Sequence, residues 1–309
     1  MKKLFTYFFL LVLAGCTSQK ALTPGEGYIN VKGGKVWYNI VGQGKKPPIL
    51  LLHGGPGSNS NYLSPFTALS KDRSVIFLDQ LGSGNSDKIS DTSLMRIENY
   101  VDELIQVQKK LKLKKYYLYG HSWGTMLGID YYLKHPKGIK AIIFNSPLFS
   151  TDCWMKDADT LISTLPSNIE AAIRTNEKNK TYNTLSYQNA VSLYYKKFLR
   201  TQPDTAPTPY SYFAEDIYEY MWGPSEFTCT GNLKNYNRLA DLHTIKVPTL
   251  LICGEHDEAR PTTVRYYQSL IPNAQFIEIK NSGHSTMRDN PKDNIIAVEQ
   301  FLSGLENDH

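Results

Sequence analysis

Cysteine is scarce in this chain of 309 residues, which holds four: Cys16, Cys153, Cys229 and Cys253. So few exclude a small scaffold stapled by disulfides, and no group of His and Cys shows zinc-ligand spacing, so no metal site is expected. Long apolar runs are missing too. The one over residues 4–13 is too short to cross a bilayer as a helix, and a polytopic membrane protein is excluded. Charge of one sign is not in excess: 34 Lys and Arg against 29 Asp and Glu leave +5. The densest basic stretch, Lys109-Lys110-Leu111-Lys112-Leu113-Lys114-Lys115, reads as the solvated end of a helix, where cations complement the macrodipole. No nucleic-acid partner is expected. Internal repeats and low-complexity segments are absent. What remains, 41% hydrophobic and 20% charged residues, describes a globular chain long enough to bury a core, as one large domain or one domain with an insertion.

The amino terminus stands apart from the rest. Met1-Lys2-Lys3 is a basic start, the apolar run follows, and Leu13-Ala14-Gly15-Cys16 resembles the lipobox of bacterial lipoproteins. That resemblance implies a lipoprotein signal peptide over 1–15, acylation of Cys16 as the new amino terminus, and a polar tether over 16–27. The expected product is an exported bacterial lipoprotein, membrane-anchored through Cys16 and facing the periplasm or the cell surface. Export permits a disulfide without requiring one. Cys253 lies in a strand-like apolar run and is expected as a buried thiol, whereas pairing of Cys153 with Cys229 stays open.

From residue 28 the pattern becomes regular. Residues 28–31 and 36–41 flank Gly33-Gly34 and predict a hairpin. Residues 48–52 and 74–78 are continuous apolar runs, as expected of strands buried on both faces. Leu94, Ile97, Val101, Leu104, Ile105 and Leu111 form a stripe that predicts a helix over 93–112, opening at Thr92 or Ser93. A strand over 116–119, a helix over 122–135 and a strand over 139–144 follow, the pattern of a parallel sheet with helices on both faces. After Pro147 the pattern breaks, and 148–245 hold amphipathic helical segments such as 185–200 with no convincing strand. A strand over 247–253, a helix over 261–271, a strand over 275–279 and a helix over 291–304 complete the chain. Residues 28–147 and 246–309 therefore predict an α/β core, into which 148–245 is inserted as a helical cap.

Gly120-His121-Ser122-Trp123-Gly124 falls between a predicted strand and a predicted helix. It fits the Gly-x-Ser-x-Gly elbow, in which small flanking residues permit a strained turn that exposes a serine hydroxyl. Such a serine needs a base, and the base an orienting carboxylate. In this architecture the chain order is Ser, then Asp or Glu, then His. His284, in the loop after the strand over 275–279, and Asp257, after the strand over 247–253, meet that order at the sheet's carboxyl edge; the other six histidines lack such a position. An oxyanion needs two backbone donors. One is the N–H of Trp123, and the other is expected from the loop His53-Gly54-Gly55-Pro56-Gly57, with His53 organising the loop rather than acting as acid or base.

His53-Gly54-Gly55-Pro56-Gly57, Asp79-Gln80-Leu81-Gly82-Ser83-Gly84-Asn85-Ser86-Asp87, the serine elbow and Gly254-Glu255-His256-Asp257-Glu258 together resemble the proline iminopeptidases. Those are serine aminopeptidases with an α/β-hydrolase fold, a mostly parallel central sheet and an inserted helical cap domain. Trp222-Gly223-Pro224-Ser225-Glu226-Phe227-Thr228 is most similar to the tricorn-interacting aminopeptidase branch. The resemblance runs from about residue 28 to the end. It implies Ser122 as nucleophile with Asp257 and His284, Gly55 and Trp123 as the oxyanion hole, and Glu226 with Glu258 as the holders of a substrate's free amino terminus. Short peptides with a free amino terminus are the implied substrates, and no cofactor is implied. Two carboxylates facing a cationic amine would reject an acylated terminus. Tyr212, Phe213, Tyr218, Tyr220 and Trp222 are candidates to line the pocket. The rival readings are an esterase or amidase on small uncharged substrates and a non-catalytic peptide-binding lipoprotein. Enzymes of this fold with an aspartate nucleophile are excluded by Ser122.

Overall fold

A computed structural model describes residues 22–203 and 213–307. Its frame is one sheet of eight strands: β1 (Gly25–Val31), β2 (Gly34–Val41), β3 (Ile49–Leu52), β4 (Val75–Leu78), β5 (Tyr116–His121), β6 (Ile139–Asn145), β7 (Thr249–Gly254) and β8 (Ala274–Ile279). Their spatial order is β1-β2-β4-β3-β5-β6-β7-β8. β2 pairs antiparallel with β1 and β4, and every later pairing is parallel. From β3 the chain first steps outward to β4, then crosses back to β5 on the other side. The carboxyl ends of β3 and β5 thus flank a topological switch point, where sheets of this type bind ligands.

The apolar runs behave as doubly buried strands. Ile49 and Leu51 face one layer while Leu50 and Leu52 face the other, and all four have no exposed surface. One layer is covered by helices α1 (Ile97–Lys110), α2 (Trp123–Lys134) and α7 (Pro261–Leu270), which contribute Leu104, Leu127 and Val264. The other is covered by a 3-10 helix (Ser60–Lys71) and by α9 (Pro291–Asn307), with Phe66 and Leu302 against Leu51 and Ile143. Each such side chain contributes about 1.5–3 kcal/mol of burial. Arg73, 3% exposed, clamps α9 to the sheet edge through a two-pronged ion pair with Glu306 (2.8 and 3.1 Å).

Between β6 and β7 the described residues form no named strand, only the isolated bridges Ser150–Asn237 and Ser225–Thr228. The segment carries α3 (Thr151–Ile162), α4 (Ser167–Asn179), α5 (Leu185–Tyr194) with a π turn over Tyr195–Leu199, and α6 (Glu215–Met221). Ile162, Ile173, Tyr187, Tyr194, Phe198 and Phe227 make a separate small core within it.

Two expectations need correction. α1 begins at Ile97, not at 93: Asp91 and Thr92 carbonyls take the N–H groups of Leu94 and Met95 in successive turns, and the Asp91 side chain takes that of Ser93. Leu94 and Met95 are buried by those turns, so the apolar stripe extends beyond the helix that follows it. Second, 185–200 is not one helix, because its last turn widens to π geometry before Arg200 turns extended. The described cysteines, Cys153, Cys229 and Cys253, are all free thiols. Cys16 and the front segment lie outside the described residues, as does Tyr212. Among the described residues no helix is long and apolar enough to cross a membrane, and none of the His, Cys, Asp and Glu clusters could hold a metal ion.

Candidate active site

Ser122 sits where β5 turns into α2, at φ +55° and ψ −123°. A side chain in that region costs on the order of 1–3 kcal/mol, so neighbours must enforce it. They do so from both sides. Ser122 N–H donates to Asn145 O on β6 (3.1 Å), and Ser122 O accepts from Thr125 N–H (2.7 Å) and Thr125 Oγ1 (2.6 Å). The flanking glycines are required by close approach: a Cβ on Gly120 would stand 2.3 Å from Gly124 O, and one on Gly124 2.3 Å from Leu52 O.

His284 and Asp257 come from the loops after β8 and β7. His284 Nδ1 lies 2.8 Å from Asp257 Oδ1, and because a carboxylate accepts, Nδ1 carries the proton and Nε2 is left as the base. Asp257 is held by three further donors: Ser146 Oγ (2.7 Å), Gly254 N–H (3.1 Å) and Ala259 N–H (2.8 Å). His284 Nε2 is buried and makes no hydrogen bond. The structure therefore brings Ser122 and His284 to one cavity of about 310 Å³ without closing a bond between them. Such bonds are often long until substrate arrives.

The expected oxyanion loop, residues 53–57, follows β3. Gly55, at φ +111°, lines the cavity, and a Cβ there would meet Gly57 N and Ser58 N at 2.7 Å. The second expected donor, Trp123 N–H, is the first residue of α2, where amides have no partner within the helix. A buried network ties the two together. Trp123 Nε1–H donates to Gln80 Oε1 (2.7 Å), Gln80 Nε2–H donates to His53 O (3.1 Å), and Gln80 N–H donates to His53 Nε2 (3.0 Å). His53 Nδ1–H in turn donates to Gly54 O (2.8 Å). His53 is thus a neutral loop organiser, and burial holds its pKa down. The Asp79–Asp87 stretch supports this loop: Asp79 accepts from Ser60 N–H and Oγ and from Asn85 N–H.

A second relay was not visible in the sequence. Gly54 N–H donates to Tyr62 Oη (2.6 Å), and Tyr62 lies 2.8 Å from His121 Nδ1. His121 Nε2 lies 2.9 Å from His284 O, which can only accept. Nε2 therefore carries the proton, Nδ1 accepts, and the Tyr62 hydroxyl donates to it. Burial holds His121 well below its ordinary pKa, so the ring stays neutral. The relay connects the 53–57 loop, the residue before Ser122 and the backbone of His284.

Glu226 and Glu258 converge beside this dyad. Glu226 lines the cavity from the cap segment, its N–H on Tyr195 Oη (3.1 Å) and its carbonyl taking Trp154 Nε1–H (2.8 Å). Tyr218 stands beside its carboxyl. Glu258 is 1% exposed, neither carboxylate oxygen has a partner, and Oε1 lies 3.9 Å from His284 Nδ1. Burial raises the pKa of both carboxyls, and Glu226 raises that of Glu258 further.

Of the candidate aromatics, Phe213 lines the cavity, Tyr218 and Trp222 are buried, and Tyr220 is exposed and is not part of its wall. No sequence signal marks Trp154, whose ring packs edge-on against His284 at 5.5 Å between centroids. Nor does one mark Arg200 and Arg288, which also line the cavity.

Residues 47–291 match the family model of the alpha/beta hydrolase fold. A proline iminopeptidase of Heyndrickxia coagulans is 39% identical over 285 residues, spanning 91% of this chain and 99% of that protein. The crystal structure of the Mycobacterium smegmatis proline iminopeptidase superposes with a TM-score of 0.81 at 27% identity, covering 91% of this chain and 98% of that one. VinJ superposes with a TM-score of 0.83 at 28% identity, over 92% of this chain and 100% of its own. With the strand order and serine elbow described above, these matches identify the chain as a member of the proline iminopeptidase family of α/β hydrolases.

Proposed function

We propose that the protein is a serine aminopeptidase that releases an N-terminal residue, proline or another small or apolar one, from short peptides. The observation that carries this is the pairing of Glu226, which lines the cavity that holds Ser122, with Glu258, buried beside His284. A buried carboxylate without a partner is costly, and a substrate ammonium offsets that cost with charge-assisted hydrogen bonds. An N-acylated substrate brings no cation, so it leaves the pair uncompensated. An esterase for uncharged substrates has no use for two such acids.

The chemistry follows from the proton positions. His284 Nε2 takes the Ser122 proton as Oγ attacks the carbonyl, and Asp257, fixed by four hydrogen bonds in all, stabilises the imidazolium. The Gly55 and Trp123 N–H groups receive the oxyanion. His284 then protonates the departing amine, and water hydrolyses the aminoacyl ester on Ser122. Cleavage of prolyl, alanyl, leucyl and N-acetyl-alanyl anilides by the 20–309 fragment, with Ser122→Ala as control, tests the reading. Only free-amine substrates should be cut. Equal cleavage of the acetylated one would overturn the amine clamp.

The Leu13-Ala14-Gly15-Cys16 pattern further supports a membrane-anchored lipoprotein acylated on Cys16 and facing the periplasm or cell surface. Labelling with an alkyne fatty acid in a bacterial host should mark the full chain and not its Cys16→Ser variant. An unlabelled full chain would remove the anchor.

A further inference from the structure

The turn that carries Glu226 is fastened into the cap segment by side chains that the acyl-transfer chemistry does not use. Thr228 N–H donates to Ser225 O (3.1 Å), so Glu226 and Phe227 take the two central positions of a tight turn. Their side chains part. Glu226 lines the Ser122 cavity, while Phe227 is buried against Tyr187 and Tyr194 in the small core of the cap segment. Ser225 O also takes Trp222 Nε1–H (3.0 Å), which pins the turn at its entry.

A chain of hydroxyls runs along the two ends of this turn. Tyr187 Oη on α5 donates to Ser225 Oγ (3.1 Å), and Ser225 Oγ donates to Thr228 Oγ1 (2.9 Å). Thr228 Oγ1 donates in turn to Glu177 Oε1 on α4. Tyr187, Ser225 and Thr228 are buried, and Glu177 is half-buried. A hydroxyl has one proton and can point it either way, whereas an ionised carboxylate only accepts. Glu177 therefore sets the direction of the whole chain: Thr228 donates to it, accepts from Ser225, and leaves Ser225 to accept from Tyr187. Burial raises the pKa of Glu177, and against that the Thr228 hydroxyl and Arg174 favour its ionised form. None of the described residues that line the cavity belongs to α4.

We propose that Glu177 is a positioning residue of the amine site, which through Thr228 and Ser225 holds the Glu226 turn where its carboxyl meets a substrate's ammonium. The proposal rests on the aminopeptidase reading, which assigns that ammonium to Glu226. Charge-assisted hydrogen bonds are short, about 2.7–2.9 Å, so a turn released at both ends loses the bond. Ser122 and His284 are held by the sheet and its loops, not by α4, and keep their geometry. The loss then falls on binding of a free amino terminus rather than on the chemical step.

The test measures kcat and KM at pH 8 on alanyl and N-acetyl-alanyl anilides, with rates normalised to the Ser122 that a fluorophosphonate labels. Glu177→Leu and Thr228→Val should each raise KM for the alanyl anilide about tenfold. Their kcat should stay within about twofold of the parent's, and the preference over the acetylated substrate should narrow. Glu177→Gln, which keeps an acceptor oxygen for Thr228, should recover most of the loss. On a Glu226→Gln background, Thr228→Val should add less than about twofold to KM, because both changes remove one interaction. A parent-like KM in Glu177→Leu and Thr228→Val, or a loss that adds in full to that of Glu226→Gln, would overturn the positioning role and leave the aminopeptidase standing. A parent-like KM in Glu226→Gln itself would overturn the amine clamp and this role with it.

Discussion

Tyr62 shows what a single hydroxyl does in this site. It accepts Gly54 N–H and donates to His121 Nδ1, so its oxygen joins the oxyanion loop to the histidine that props His284. Tyr62→Phe strands one buried donor and one buried acceptor, at a cost on the order of 1–3 kcal/mol per group. The expected result is a kcat on anilides lower by roughly tenfold with KM nearly unchanged, and a lower Tm by calorimetry. An unchanged kcat would show that the oxyanion loop keeps its place without the relay. Glu103 is a different residue-scale case, remote from the chemistry. Its Oε2 accepts Leu81 N–H (3.1 Å), its Oε1 is buried without a partner, and burial pushes its carboxyl up to about 8. A carboxyl whose folded pKa lies above its unfolded value contributes stability that is full below the ordinary carboxylate range and is lost as pH rises through 8. Glu103→Gln should therefore flatten the fall of Tm between pH 6 and pH 9, by an amount on the order of 1–3 kcal/mol. A parent-like slope in that variant would assign the pH dependence to other groups.

Among the elements, what the sequence revealed depended on how local the cause was. The strands of the core were legible because doubly buried β3 and β4 are apolar at every position, and β7 is apolar from Leu250 to Cys253. The serine elbow was legible because a Cβ on Gly120 or Gly124 would stand 2.3 Å from a backbone oxygen, which leaves room for glycine alone. The start of α1 was not, since Leu94 and Met95 are buried by a turn and apolar spacing alone does not separate a turn from a helix. The 3-10 helix Ser60–Lys71 was missed because Pro65 interrupts any helical reading. Tyr62, Trp154, Arg200 and Arg288 come to the site from four separate segments, and no motif spacing encodes that convergence. The strap over 198–202, tied to the His284 loop by His284 N–H on Phe198 O (2.8 Å) and Ser285 N–H on Leu199 O (3.0 Å), has the same character. Asp289 fastens it to the His284 loop by accepting from Thr201, Gln202 and Gly283 backbone amides. Asp289→Ala should free those amides, lower kcat/KM by roughly tenfold or more, and open the strap to limited proteolysis. A strap as resistant as the parent's would show that the Phe198 and Leu199 carbonyl bonds suffice.

On the scale of the molecule, the proposed amine site would join the cap segment to the core. Glu226 belongs to the segment between β6 and β7, Glu258 follows Asp257 after β7, and in the free protein their charges repel across the boundary. Because burial and that repulsion raise both carboxyls, the free protein is most stable while they are protonated and loses stability as pH rises through their raised pKa values. An ammonium between them reverses the balance, since it binds the ionised pair. Ligand-linked stability should therefore fall on acidification, as the two carboxyls take up protons. The Ser122→Ala variant, saturated with an uncleaved prolyl anilide at about 100 times its Kd, should gain about 2.7 kcal/mol, several degrees in Tm, at pH 8. The gain should shrink at pH 5, and disappear with the N-acetyl analogue and in Ser122→Ala/Glu226→Gln. A shift that survives all three changes would mean that the anilide is held by its ring alone, and that the two buried acids serve something other than the amine.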